Sequence, residues 1–248
     1  MNRESYLTVS QLDIIGIFDD DVRMRYPGGK GKTFQHVINL MPVHDVYIET
    51  HLGGGAVMRH KKPARVNIGI EADASVLAAW SGKPDQDIQL VHAQAEDFLA
   101  KYPFTGRELL YVDPPYLPET RRRAKVYRCD YGVEDHERLL RILVDLPCMV
   151  LISGYDNVLY DELLPGWSKH TFQAKTHVDV RTETLWFNYA SPTVLHDNRY
   201  LGATFRERQD SKRRLARLKV KVDAMDPCER AAFASWLHEA YPQHGATS

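Results

Sequence analysis

Short apolar runs of strand length alternate with helix-like segments along most of the chain. The strand-like runs are residues 46–49, 66–70, 109–112, 149–153 and 184–188. Strands joined by helical crossovers form largely parallel sheets, because a right-handed crossover returns the chain to the same sheet. We therefore predict an α/β fold, with a mostly parallel sheet and helices on both of its faces.

The composition changes after the last strand-like run. Residues 206–222 contain eight Lys or Arg residues and two acidic residues. Apolar residues at helical spacing form one stripe there, and they are Leu215, Leu218, Val222 and Met225. Asp226 and Pro227 then have the pattern of a helix start. We predict a catalytic domain over residues 1–195 and a small, basic helical appendage over residues 196–248.

Several classes of protein are disfavoured by composition. No run approaches the roughly 18 apolar residues of a membrane helix, so we expect a soluble protein without a membrane partner. Cys129, Cys148 and Cys228 are far apart, which argues against disulfides and zinc knuckles and favours a reducing, cytoplasmic setting. The scattered histidines lack metal-ligand spacing, so no metal is expected. With 32 basic and 33 acidic residues, polyanion binding would depend on local clusters.

Two glycine-rich loops are candidate ligand sites. Gly53, Gly54 and Gly55 follow one strand-like run, and Glu71 ends the next, where a nucleoside ribose is usually bound. Met58 replaces the third glycine of the dinucleotide pattern, which disfavours NAD. The other loop, residues 26–33, comes earlier in the chain, and its first position lacks the glycine of a phosphate-binding loop. An ordinary tight turn is the alternative interpretation for each loop.

The strongest motif is Asp113-Pro114-Pro115-Tyr116, directly after the apolar run 109–112. Open α/β sheets bind ligands at the carboxyl ends of their strands. An exocyclic aromatic amine is a poor nucleophile, because its lone pair is delocalised into the ring. Hydrogen bonds from this amine to the Asp113 carboxylate and the Pro114 carbonyl would redirect the lone pair, and Tyr116 would stack on the base. Such a base must be flipped out of a duplex or already unpaired. A purely structural proline loop is the alternative.

With these motifs in this order, residues 23–190 resemble the Dam-type, D12-class adenine-N6 DNA methyltransferases. The resemblance implies a Rossmann-like methyltransferase fold, S-adenosylmethionine as cofactor, and catalysis by Asp113, Pro114, Pro115 and Tyr116. It also implies cofactor contacts by the first loop (Tyr26, Pro27, Gly28, Gly29, Lys30), the second loop (Glu49, His51, Gly53, Gly55), and Glu71, Asp97, Phe98 and Asp113. Residues 152–156 and 181–186 resemble later motifs that shape the target-base pocket.

The chain departs from the family pattern in two places. Thr50 and His51 replace the proline and phenylalanine that are typical of the cofactor loop. Only residues 99–111 separate the adenine-contacting motif from the catalytic one, where the family usually inserts a target-recognition domain. We therefore expect DNA contacts elsewhere. The candidates are a loop after the catalytic motif (Arg121, Arg122, Arg123, Lys125, Tyr127, Arg128) and the tail (Lys212, Arg213). A solvated helix face is the alternative for the tail.

The sequence thus predicts methyl transfer to adenine N6 of DNA, by a monomer or homodimer. A restriction-modification role would add a partner nuclease, which the chain itself does not identify. Methylation of cytosine N4 is the nearest alternative, followed by RNA or free nucleoside substrates. An idle DNA-binding protein on the same fold is an alternative of a different class.

Overall fold

The computed structural model describes residues 29–31, 33–80, 87–121, 128–175 and 180–241. The strands are β1 (Val46–Glu49), β2 (Val66–Glu71), β3 (Ile88–His92), β4 (Glu108–Val112), β5 (Met149–Tyr155), β6 (Ser168–Lys175) and β7 (Val180–Phe187). The helices are α1 (Phe34–Ile38), α2 (Ala56–His60), α3 (Ala74–Trp80), α4 (Ala95–Leu99), α5 (Val133–Val144), α6 (Val158–Leu163), α7 (Phe205–Asp223) and α8 (Pro227–Ala240).

The strands form one seven-stranded sheet in the order β3-β2-β1-β4-β5-β7-β6. Neighbours from β3 to β5 are parallel, whereas β7 runs antiparallel to both β5 and β6. Strand order reverses between β1 and β4, which places a topological switch point there. The predicted α/β class with a mostly parallel sheet is confirmed.

Successive residues of the central strands enter two different cores, one on each face of the sheet. Leu110, Val112 and Ile152 belong to the core that is covered by α5. Leu109 and Tyr111 belong to the opposite core, which α1 and α2 cover. Because side chains alternate between faces with a period of two, a strand buried on both faces reads as a continuous apolar run. This accounts for the run 109–112.

The sequence predicted five strands, and the two it missed are the edges of the sheet. In β3 no residue is buried, and β6 has the mainly polar sequence SKHTFQAK. An edge strand has a neighbour on one side only, so it needs less apolar surface than a central strand. Hydrophobic patterning therefore identified the central strands of the sheet and missed its two edge strands.

The segment after the last strand packs back against residues of the N-terminal part of the sheet domain. Leu195 forms an isolated antiparallel bridge with Pro42, and the Asp197 carboxylate accepts a hydrogen bond of 2.9 Å from the Lys62 amide. The Asn39 side-chain amide donates to the Tyr200 carbonyl at 2.6 Å. The boundary that the sequence predicts at residue 195 remains a prediction.

The two C-terminal helices differ from the rest of the fold in their exposure. Neither α7 nor α8 has a buried residue, and Leu215 and Leu218 are 42% and 52% exposed. The basic and apolar side chains of α7 are thus both accessible to a partner. In the described part of the chain, no helix combines the length and apolarity that crossing a bilayer requires.

Candidate active site

The candidate site lies where three parallel strands end beside the switch point. Glu49 ends β1, Glu71 ends β2, and Asp113 directly follows β4. In the sheet register, Glu49 is paired with Tyr111, and Val112 is paired with Ile152 of β5. This register brings Asp113 level with Ser153. The residues that three separate sequence patterns singled out therefore lie at the same edge of the sheet.

Asp113 is held by hydrogen bonds to both of its carboxylate oxygens. Lys30 Nζ lies 2.7 Å from Oδ1 and 2.9 Å from Oδ2. The Ser153 hydroxyl donates to Oδ1 at 2.6 Å, and the Tyr111 hydroxyl lies 3.1 Å from Ser153 Oγ. Because Ser153 gives its proton to Asp113, it accepts one from Tyr111. Oδ1 therefore has two donors, whereas Oδ2 has Lys30.

Tyr116 forms the opposite wall of the site. Its ring makes an edge contact with the Tyr155 ring, with centroids 4.6 Å apart and an interplanar angle of 76°. The Arg181 guanidinium lies over the other aromatic ring, 5.0 Å from the Tyr155 centroid, and donates to the Thr120 carbonyl at 3.0 Å. Aromatic and guanidinium planes of this kind can receive a planar heterocycle.

Lys30 connects the two walls. Its side chain is only 5% exposed, and its Nζ also lies 2.7 Å from the Tyr116 hydroxyl oxygen. Burial opposes the charged form, but attraction to Asp113 and Glu183 outweighs it and raises the pKa of Lys30 above its usual range. Lys30 is therefore a buried cation. The structure places it against the Asp113–Tyr116 tetrapeptide, whereas the sequence had assigned it to the cofactor.

Three further residues of that first loop cannot be placed, because Tyr26, Pro27 and Gly28 lie outside the described residues. Gly29 is described and exposed. Their assignment to the cofactor remains a prediction.

The second glycine loop is fixed from two sides. The Gly53 amide donates to Glu71 Oε2 at 2.9 Å, and the Gly53 carbonyl accepts from the Trp80 indole at 2.9 Å. Gly55 has a φ of +58°, and a Cβ there would lie 2.2 Å from a Trp80 ring atom. The sequence explained these glycines by close approach of a ligand. For Gly55, the structure shows that packing against Trp80 already requires glycine.

Glu71 is positioned by the loop that it supports. It is 6% exposed, and its Oε1 accepts from the Asp73 amide at 3.0 Å. Each of its carboxylate oxygens thus has one backbone donor, which leaves acceptor capacity for a hydroxyl group.

Glu49 and His51, both assigned to the cofactor, have partners within the protein. Burial raises the pKa of Glu49 to about 8, and this carboxyl accepts a hydrogen bond of 2.9 Å from Tyr47. His51 Nδ1 lies 2.9 Å from Thr50 Oγ1, and Nε2 lies 3.1 Å from the Tyr131 hydroxyl. Burial lowers the pKa of His51 to about 3, so its ring is neutral. His51 therefore connects the loop to Tyr131, whereas Glu49 is bonded to a residue of its own strand.

Asp97 lines an open pocket of about 410 Å³, together with Glu96, Tyr131 and Arg138. The Tyr131 hydroxyl donates to Glu96 at 3.0 Å, which connects this pocket to His51. The side chain of Asp97 is exposed. Phe98 is placed differently, because it stacks on Tyr102 with centroids 5.2 Å apart and packs against the core. It is absent from the described lining of the pocket.

The basic residues predicted to contact DNA lie in different environments. Arg121 is 7% exposed and forms an ion pair of 2.8 Å with Asp130, so a phosphate contact would require this pair to open. Arg128, on the same loop, is 79% exposed. Lys212 and Arg213 are exposed on α7. The other candidates, which lie outside the described residues, are Arg122, Arg123, Lys125 and Tyr127.

Sequence reasoning did not single out several residues that the fold adds to the site. Ser153 and Tyr155 lie on β5, and Glu183 faces Tyr155 across the β5–β7 ladder. Glu183 accepts a hydrogen bond of 3.4 Å from the Tyr116 hydroxyl. Burial and Asp113 raise the pKa of Glu183, whereas Lys30 lowers it. The only signal in the sequence was the weak resemblance of residues 152–156 and 181–186 to later family motifs.

No family model and no curated protein matches this chain. Among solved structures, a precorrin-6y C5,15-methyltransferase from Geobacter metallireducens GS-15 has a TM-score of 0.45 at 13% identity, over 69% of this chain and 98% of that one. An rRNA methylase from Streptococcus thermophilus has a TM-score of 0.42 at 11% identity, over 62% of this chain and 91% of that one. A dimethyladenosine transferase from Plasmodium falciparum has a TM-score of 0.39 at 11% identity, over 62% of this chain and 60% of that one. Similarities this low identify no substrate.

Proposed function

We propose that this protein is an S-adenosylmethionine-dependent methyltransferase that acts on the N6 amine of adenine in DNA. One observation carries the proposal. The Asp113 carboxylate lies just past the end of β4, beside the switch point of the sheet, between the Ser153 hydroxyl and Lys30. Tyr116, from the same tetrapeptide, presents its ring beside that carboxylate.

This arrangement suits the activation of an exocyclic amine. The two N–H groups of the amine need two acceptors, and the Asp113 carboxylate and the Pro114 carbonyl supply them. Ser153 and Tyr111 hold the carboxylate in place, so little reorganisation is needed when the amine arrives. Tyr116 provides the stacking surface, and the ring of Tyr155 supports Tyr116 from the side.

The residues at the neighbouring strand ends fit the proposed cofactor. Glu71 retains acceptor capacity for ribose hydroxyls, and the exposed carboxylate of Asp97 can accept hydrogen bonds from an adenine amine in the 410 Å³ pocket. When bound, this cofactor supplies a methyl group on a sulfonium centre. The protein contributes acceptors, orientation and a partly buried site.

Adenine in DNA is the finer part of the proposal, and two considerations support it. The resemblance of the motif order to adenine-N6 enzymes favours adenine over cytosine. The exposed side chains of Arg128, Lys212 and Arg213 offer positive charge for phosphates, and base flipping would bring the target to Asp113.

The test is to incubate the purified protein with S-adenosylmethionine and unmethylated DNA, and in parallel with RNA. The nucleic acid is then digested to nucleosides and analysed by mass spectrometry. N6-methyladenine from DNA is the expected product, and Asp113→Ala, which removes the acceptor, is expected to yield at least about 100-fold less. N4-methylcytosine or a methylated RNA base would reassign the substrate. Cofactor binding without any methylated base would instead support an idle core.

A further inference from the structure

The position of Lys30 creates a problem for the proposed function. The inference below rests on that function. Its ammonium group lies within 2.9 Å of both oxygens of Asp113, the carboxylate that the target amine must use. If Lys30 stays in place, its ammonium draws negative charge from the carboxylate and makes both oxygens weaker acceptors for the amine. If Lys30 leaves without a new partner, a nearly buried cation is unpaired, which is strongly unfavourable.

The residue that resolves this problem is Glu183. Its carboxylate lies on β7, opposite Tyr155, and Oε2 is 3.4 Å from the Tyr116 hydroxyl oxygen. Lys30 Nζ is 2.7 Å from that same oxygen. A tyrosine hydroxyl has a single proton, so Tyr116 donates to Glu183 and accepts from Lys30. The Lys30 ammonium therefore contacts Asp113 directly and is connected to Glu183 through the Tyr116 hydroxyl.

The balance of charge supports a functional use of this arrangement. The Lys30 ammonium is attracted by both Asp113 and Glu183. A site with one carboxylate would hold the ammonium in a single place. A site with two can retain the cation while either carboxylate takes another donor.

We propose that Glu183 is a positioning residue that receives the Lys30 ammonium when Asp113 accepts the hydrogen bond of the target amine. No covalent bond forms or breaks in this step. The ammonium exchanges Asp113 for Glu183 while it keeps its contact with the Tyr116 hydroxyl, and the net charge of the site is unchanged. Glu183 thus frees the catalytic carboxylate without leaving a buried charge unpaired.

The first measurement needs neither cofactor nor substrate. The Glu183 carboxyl is followed by NMR in protein labelled with ¹³C-glutamate. Its signal is identified as the one that is absent from the spectrum of Glu183→Gln. In Lys30→Gln, which removes the charge but keeps a donor, the pKa of Glu183 is expected to rise, because Lys30 holds it down in the wild type. An unchanged pKa of Glu183 would show that the two groups are not coupled, and the inference would fail.

The second measurement is turnover at saturating cofactor and DNA. Glu183→Gln is expected to lower kcat by about 10-fold, within the range of coupling between neighbouring groups, and to leave cofactor affinity within about twofold. In the Lys30→Gln background, the same substitution should change kcat little. Glu162→Gln, an exposed carboxyl on α6, is the matched control and should behave as wild type.

Two outcomes of the turnover experiment would overturn the inference. One is an equal loss of kcat from Glu183→Gln in both backgrounds, since that would mean that Glu183 acts independently of Lys30. The other is a wild-type kcat in Glu183→Gln. If the wild-type protein methylates no base, the proposed function fails, and the NMR titration still decides whether Glu183 and Lys30 are coupled.

Discussion

Replacing Gly55 with alanine should destabilise the protein even when no ligand is present. Gly55 has a φ of +58°, in the left-handed region, and it directly precedes α2. Its backbone is close to the indole ring of Trp80, and a Cβ would lie 2.2 Å and 2.5 Å from two ring atoms. The added methyl group would thus meet both an unfavourable backbone conformation and a rigid neighbour.

The size of the effect follows from these two costs. An L-residue in the left-handed conformation costs about 1–2 kcal/mol. Forcing one carbon into a packed core costs about 1–3 kcal/mol. Together they predict that Gly55→Ala lowers the free energy of unfolding by about 2–5 kcal/mol. Gly166 also has a positive φ, +78°, but a Cβ there would have no atom within 4 Å. Gly166→Ala should therefore cost about 1–2 kcal/mol.

Urea denaturation of the ligand-free variants measures both values. A second background separates the two costs. In Trp80→Leu, which removes the indole ring, Gly55→Ala should lose its packing cost and fall to the value of Gly166→Ala. The reasoning would be refuted if Gly55→Ala were no more destabilising than Gly166→Ala in the wild-type background. Glycine at position 55 would then be explained by the space that a ligand needs and not by the contact with Trp80.

Three further predictions concern charged groups. Asp113→Ala should reduce turnover at least about 100-fold, because the target amine loses an acceptor, and near-normal turnover of this variant would refute the proposed role of Asp113. Burial lowers the pKa of His44 from 6.5 to about 3. The neutral ring therefore contributes fully to stability at pH values above 6.5, the pKa in the unfolded chain. This contribution is lost as the pH falls below 6.5. The melting temperature should therefore fall less between pH 7 and pH 4.5 for His44→Gln than for the wild type. An equal fall in both proteins would count against this prediction. Lys212→Glu/Arg213→Glu should weaken DNA binding and reduce the slope of log affinity against log salt by about 2, and an unchanged slope would exclude α7 from the interface.

The central strands and the position of the Asp113–Tyr116 tetrapeptide at a strand end could be predicted from sequence because their signals are local. A strand buried on both faces must be apolar throughout, so the run 109–112 is visible without knowledge of its neighbours. The tetrapeptide that follows is contiguous, and its chemistry can be interpreted from its residue types. Edge strands such as β6 have no such constraint and were missed.

The glycine loop shows where a local signal has more than one physical cause. Three consecutive glycines predict a tight turn, and a ligand is one reason for such a turn. The partner of Gly55 is Trp80, at the end of α3, whose ring reaches back under the loop. Sequence spacing does not indicate that contact, because it depends on how α3 packs against β2.

The sequence by itself determined an α/β sheet, its central strands and an Asp-Pro-Pro-Tyr motif at a strand end, because periodicity and residue chemistry act over a few positions. Only the tertiary structure decided what surrounds Asp113. Lys30 comes from 83 residues earlier and Ser153 from 40 residues later, while Glu183 joins Tyr116 across 67 residues. These groups meet because the sheet order places β4 beside β5 and β5 beside β7. Strand order depends on the packing of the whole chain, which no local pattern specifies.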